Sequence, residues 1–271
     1  MYDTVKILIT GAASGIGQGL ARRLGRPGQH LVLGDCHSEG LDVTRRLCET
    51  QGATVRSRVI DTRDRQAMAE WIHEESIGRL DMVFACAGIT GGLPPARGAA
   101  PAPEREEHTR LMIETNLLGS LNTLFPAMDV MKKQARDQHG RRGQICMMAS
   151  VAGFVSYPGT PSYSASKAAL DRFTIATAPT LEKAGITLTS VCCGFVDTPM
   201  VKENRFPMPG LVSTDEAVQR ILQGTLRGRR RVTFPKWLVF GARLADLLPP
   251  RLTELYYCRQ PSAQPEGMPD Y

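Results

Sequence analysis

The chain has 271 residues, a 42% hydrophobic share, a formal charge of +6 and seven cysteines. That share is ordinary for a globular protein with a sizeable core, and no run approaches the ~18 apolar residues of a membrane-spanning helix. The cysteines include no CxxC pair and no regular spacing, which argues against a zinc site and against a disulfide framework.

In chain order, short apolar runs alternate with amphipathic segments. Strands are expected at "KILIT" (6–10), "HLVLGD" (30–35), "TVRSRVID" (54–61), "DMVFACAG" (81–88), "GQICMMAS" (143–150) and "TLTSVCCG" (187–194). Helices are expected over 15–25, 38–51, 64–76, 108–136, 162–184 and 214–227. This alternation predicts an α/β chain, a parallel sheet covered by helices on both faces. No composition break or repeat divides it, so one domain is expected over 1–257. The start, "MYDTVKILIT", enters a strand at once with no cleavable apolar region behind a basic start. The thiols then read as reduced, in a cytoplasmic protein.

Two segments interrupt the rhythm. "GITGGLPPARGAAPAPEREE" (88–107) is rich in Gly, Pro and Ala and reads as a mobile loop after the fourth strand. "GFVDTPMVKENRFPMPGLV" (194–212) follows the sixth strand and ends at a capping box, Ser213 with Glu216. In open parallel sheets ligands lie beyond the carboxyl ends of the strands, so both loops should border a site. The second reads as a substrate lid. Its Met200, Phe206, Met208 and Leu211 suit an apolar molecule, or pack the lid onto the domain; Lys202 and Arg205 could meet an anionic group.

Beyond these, the basic cluster "RGRRRV" (227–232) reads as a solvated face rather than a contact for phosphate or lipid, and no nucleic-acid partner is expected. The amphipathic stretch 234–257 admits three readings: packing on its own domain, a subunit contact, or a peripheral membrane contact. Residues 258–271 read as disordered.

The stretch "ILITGAASGIGQGLARRL" is a strand, a glycine-bearing turn and an amphipathic helix. Gly11 can take the tight turn, and Gly15 and Gly17 can let backbone and helix approach a pyrophosphate. The second strand ends in Asp35, 18 residues past Gly17. A carboxylate there can accept both hydroxyls of an adenosine ribose and would repel a 2′-phosphate. Ser14 is neutral and Cys36 follows Asp35 where an arginine could have stood, so NAD is expected over NADP. Asp61 and Thr62, at the end of the third strand, are placed to meet the adenine edge; for Asp61 a plain surface aspartate is the competing reading.

At the other end of the site, Ser150 closes the fifth strand, Tyr163 follows 13 residues later, and Lys167 lies one helical turn beyond. An isolated Tyr-x-x-x-Lys would be helix surface. Here it accompanies a strand-end serine, a glycine turn and Asn116, an amide inside an otherwise apolar helix that needs partners if buried.

With these residues in order, the chain resembles the short-chain dehydrogenase/reductase family through about residue 235. The motifs are "TGAASGIG" (10–17), "ACAG" (85–88), Asn116, Ser150, "YSASK" (163–167) and "CGFVDT" (193–198). The resemblance implies a doubly wound Rossmann-type fold and an NAD-dependent oxidoreductase acting on a small-molecule alcohol or ketone, with no metal. It implies a catalytic set of Asn116, Ser150, Tyr163 and Lys167. The cofactor would be bound by Gly11, Ser14, Gly15, Ile16, Gly17, Asp35, Asp61, Thr62, Ala85, Gly88, Tyr163, Lys167, Val196 and Thr198. Tyr163 would act as general acid or base, its pKa lowered by Lys167 and the nicotinamide. Ser150 would hydrogen-bond the substrate oxygen, and Asn116 would position a water behind Lys167. Thr198 would bond the carboxamide, with the Val196 backbone beside it. A homodimer or homotetramer is expected.

The chain departs from the family at Ala85 and Cys86, where two asparagines are usual, and at Cys193, where proline is usual. A slightly looser cofactor floor is expected. Cys86 and Cys193 read as packing residues, with a redox role as the alternative. A non-catalytic dinucleotide sensor is the rival class, but it would have no need for the four catalytic candidates together.

Overall fold

The computed structural model describes residues 5–90, 104–156, 159–202, 207–249 and 251–253. Seven strands form one sheet: β1 (Val5–Thr10), β2 (Gln29–Asp35), β3 (Thr54–Val59), β4 (Met82–Ala85), β5 (Gly143–Met148), β6 (Ile186–Cys193) and β7 (Arg231–Phe234). All pair in parallel, in the order β3-β2-β1-β4-β5-β6-β7. The order reverses between β1 and β4. Such a switch point opens a crevice at the carboxyl ends of the strands.

Parallel strands are tied by crossover helices, so both faces of the sheet must be buried. Side chains alternate accordingly. Ile7, Ile9, Phe84, Cys146 and Val191 face one core, closed by α1 (Gly15–Leu24), α2 (Ser38–Thr50) and α8 (Thr214–Leu226). Leu8, Val83, Ile145 and Leu188 face the other, closed by α3 (Arg65–Glu75), α5 (Ser120–Lys133) and α6 (Pro161–Lys183). Adjacent Cys193 and Cys192 obey the same alternation: Cys193 joins the first core, while Cys192 packs with Val239 and Ala242 of α9 (Lys236–Asp246). The β3 edge is solvated and carries Arg56 and Arg58, charges that discourage further strand pairing.

Two features differ from the sequence expectation. The seventh strand, "RVTF", begins inside the basic cluster and has four residues, too short to signal itself. The helix expected over 108–136 is interrupted: α4 (Glu106–Ile113) passes through a π-helical turn at Glu114–Gly119 before α5. A π turn inserts one extra residue and often marks a site; this one carries Asn116. The capping box at Ser213 is present in its main half, the Glu216 N–H donating to Ser213 Oγ at 3.2 Å.

The loop expected to be mobile lies mostly outside the described residues, as do Arg205 and Phe206 of the lid and the tail from 254. Elsewhere in the 194–212 segment α7 (Pro199–Lys202) follows β6, and Val212 bridges back to Val196.

Candidate active site

The nucleotide end is built on the β1–α1 turn. Gly11 has φ +69, and a Cβ there would fall 2.6 Å from the Ala87 nitrogen at the end of β4. A Cβ on Gly17 would fall 2.0 Å from the Gly11 carbonyl oxygen. Only glycine allows both approaches. Ser14 precedes α1 without capping it through its side chain, and the first turn holds no acidic residue. The helix therefore presents free N–H groups and the positive end of its dipole, a setting that fits the pyrophosphate of a dinucleotide. Ile16 packs into the first core and fixes this turn on the sheet.

Asp35 is oriented by backbone. Its two oxygens accept from the Ala13 N–H at 2.8 Å and the His37 N–H at 2.9 Å. Both oxygens keep free lone pairs, as a ribose diol would need. The sequence suggested no cation beside Asp35; the structure places one at the end of the neighbouring strand, toward Cys36. Arg63 pairs with Asp61 through two hydrogen bonds, at 2.6 and 2.8 Å, and lies near enough for the Cys36 thiol to act on its titration. Burial pushes the Asp61 carboxyl up, but the bonds and charge of Arg63 outweigh this and hold it below its ordinary value. Asp61 is thus committed to Arg63. Thr62 is buried against Gly119, and its carbonyl accepts from Asn122 at 2.9 Å.

The reacting end gathers on β5, β6 and α6. Ser150 follows β5, accepts from the Ala152 N–H at 3.1 Å and donates to the Cys193 carbonyl at 3.4 Å. Lys167 is buried and donates to the Met148 carbonyl at 2.9 Å. Its ammonium lies 5.7 Å from the centre of the Tyr163 ring. Asn116 is fully buried; its amide donates to the Ile89 carbonyl at 2.9 Å and accepts from the Ile89 N–H at 2.8 Å. Gly88 joins the two groups: a Cβ on it would sit 3.0 Å from Asn116 Oδ1 and 3.4 Å from Lys167 Nζ. Asn116 and Lys167 therefore face one small space, lined by a residue with no side chain. Ala85 ends β4 beside it.

In the free protein burial disfavours the charged form of both groups. Burial pushes the Tyr163 phenol up to about 12, Cys193 adds to this, and a hydrogen bond with Ser150 opposes it. Burial also pulls Lys167 down to about 8. The lysine loses its charge long before the phenol would ionise, so it does not assist a phenolate in the free protein. Burial also raises the Cys86 and Cys193 thiols, the charge of Lys167 opposing it, which keeps both protonated and unreactive at neutral pH.

Thr198 and Val196 are buried at the base of the 194–212 segment, and Thr198 Oγ1 donates to the Val196 carbonyl at 3.3 Å. A Cβ on Gly15 would lie 3.3 Å from the Thr198 methyl. The base of the 194–212 segment thus lies against the glycine turn.

Glu104 was not foreseen. It accepts from the Ser162 N–H at 3.0 Å and the Ser162 hydroxyl at 2.7 Å, clamping the first turn of α6 one residue before Tyr163. Its partner lies 58 residues away, and no local pattern announces such a contact.

Comparisons with known proteins agree with this geometry. The family model for short chain dehydrogenases matches residues 5–208. An uncharacterised oxidoreductase of Myxococcus xanthus is 34% identical over 244 residues, covering 89% of this chain and 92% of that protein. The 3-hydroxyacyl-CoA dehydrogenase type-2 of Drosophila melanogaster is 32% identical over 202 residues, covering 74% and 78%. Among solved structures, a short chain dehydrogenase from Mycobacterium paratuberculosis bound to NAD superposes with a TM-score of 0.72 at 22% identity, covering 87% of this chain and 98% of that one. Sequence, fold and site lead to one assignment: the chain is an oxidoreductase that belongs to the short-chain dehydrogenase family.

Proposed function

We propose that the protein transfers hydride between NAD(H) and a secondary alcohol or ketone on a medium-to-large apolar molecule. The observation that carries this reading is the convergence of Ser150, Tyr163, Lys167 and Asn116 beyond the carboxyl ends of β4 and β5, opposite the open N-terminus of α1. When bound, the nicotinamide would supply or accept the hydride. The residues of the chain supply everything else. Ser150 is placed to hydrogen-bond the substrate oxygen, where negative charge grows in reduction. Tyr163 holds the proton that this oxygen takes, and returns to the phenol in oxidation. Lys167, next to Gly88 and Asn116, connects that proton to the small polar space behind the site.

Asp35 supports NAD(H) over NADP(H), since a carboxylate held by two backbone N–H groups would meet a 2′-phosphate at close range. The apolar substrate class is supported by Met200 and Leu211, large side chains left exposed on the segment after β6. A 3-hydroxyacyl group, which the Drosophila relative's name specifies for that protein, is one such secondary alcohol on an apolar chain. A homodimer or homotetramer and a cytoplasmic location remain part of the same proposal.

The test is a screen of ketones and alcohols, following nicotinamide absorbance, repeated with Tyr163→Phe. Turnover should fall by the ~10²–10⁴ that a general acid or base contributes, while NADH binding persists. Turnover retained within about tenfold would remove Tyr163 from the mechanism.

A further inference from the structure

The helix α9 carries two apolar faces. Val239 and Ala242 are buried against the domain. On its outer side stand Trp237, Phe240 and Leu244, followed by Leu247 and Leu248, all exposed; Phe240 is 72% and Leu247 80% accessible. Within α9, at about 100° per residue, Trp237, Phe240 and Leu244 share an arc of about 60°, and Leu247 and Leu248 extend the exposed apolar surface past the helix end at Asp246. Lys236 and Arg243 line one edge of that arc. Lys236 and the following Arg251 form no ion pair among the described residues. Arg243 lies over the Phe154 ring at 4.7 Å. Asp246 is the one anion among the charged residues of 236–251.

We propose that the outer face of α9 docks on an anionic lipid surface, lying in the plane of the interface. An apolar arc bearing Trp, Phe and Leu beside a basic edge is the pattern of interfacial helices. Charge decides between lipid and a second copy of the chain. Two copies meeting through α9 would set one basic edge, Lys236, Arg243 and Arg251, against another of the same charge, with Asp246 alone to offset it within 236–251. Anionic headgroups complement all three.

The helix also adjoins the segment that follows β6. Trp237 stands over Gly210, where a Cβ would come within 3.1 Å of its ring, and Leu238 lies equally close to Gly194 at the end of β6. The docked face thus continues into the segment that leaves the active site. The inference does not rest on the substrate reading above, because it is tested without substrate.

The full chain is mixed with vesicles of phosphatidylcholine alone and of phosphatidylcholine with a quarter phosphatidylglycerol, and binding is read by flotation and by tryptophan emission. Trp71 is 1% exposed and Trp237 59%, so a blue shift reports Trp237. Expected are a blue shift, at least about tenfold stronger binding to the anionic vesicles, and weakening in high salt. The double variant Phe240→Ser with Leu247→Ser changes only exposed side chains and should abolish binding with its melting and NADH binding unchanged. Absence of vesicle binding by the unaltered chain overturns the proposal. If that absence accompanies an oligomer that the double variant dissociates, the face belongs to a second copy instead.

Discussion

The titration of Tyr163 is expected to depend on Lys167 only once nucleotide is bound. In the free protein the phenol is pushed up to about 12 and the lysine down to about 8, both by burial. Between those values the lysine is neutral and exerts no field. Ribose hydroxyls of a bound nucleotide accepting from the ammonium would favour its charged form, and a unit charge 5.7 Å from the ring centre would then favour the phenolate by ~3 kcal/mol at an effective dielectric of ~20. That equals roughly a hundredfold in ionisation, about two pH units. The assay is tyrosinate difference absorbance of the unaltered chain against Tyr163→Phe, repeated in a Lys167→Ala background, each with and without NAD⁺. In the free protein Lys167→Ala should leave the Tyr163 titration where it is. With NAD⁺ the unaltered chain should titrate about two pH units lower, and Lys167→Ala should remove most of that change. A large effect of Lys167→Ala on the free protein would refute the reasoning, as would a Tyr163 titration that NAD⁺ does not move.

Three further outcomes are expected. The folded state binds Lys167's proton more weakly than the unfolded chain, so stability rises with pH through the window from about 8 to 10.5 and carries the full cost below it. Lys167→Met should therefore stabilise the free protein at pH 7 by about 1–3 kcal/mol in urea unfolding, after allowing for the lost bond to Met148; a destabilised variant would contradict this. The Asp171 carboxylate, 1% exposed, takes two bonds from Arg231 at 2.8 and 2.9 Å. Burial pushes it up, but Arg231, Ser190 and Cys192 together hold it below its ordinary value, so its stabilisation is present above about pH 4 and lost as pH falls through the folded value. Arg231→Ala should cost about 2–3 kcal/mol, below the ~3–5 of a fully buried pair because Arg231 is partly exposed, and lower Tm by about 5–10 °C; a change under about 2 °C would show that water replaces the arginine. Finally, kcat/KM should favour NAD(H), and Asp35→Ala with Cys36→Arg should shift it toward NADP(H), the more so with Asp61→Ala releasing Arg63. Unchanged preference would show that Asp35 does not read the ribose.

The sequence by itself determined the fold class, six of the seven strands, the single domain and a set of candidate site residues. Strand and helix periods are local, and a parallel sheet buried on both faces writes them as separate apolar runs. The glycines of "TGAASGIG" taken alone fit a flexible connection as well as a close approach, and the packing of Gly11 and Gly17 shows the close approach. What the tertiary structure decided are the interactions between distant residues. Asn116 was visible as a polar residue in an apolar helix, but neither the π turn that carries it nor its bonds to Ile89, 27 residues away, could be read locally. Glu104 clamps α6 across 58 residues, and Arg63 reaches the Cys36 corner only because β2 and β3 end side by side. The order in which Tyr163 and Lys167 titrate was also beyond the sequence. Spacing along α6 puts the phenol and the ammonium together, but burial sets their proton affinities, and burial is a property of the packed fold.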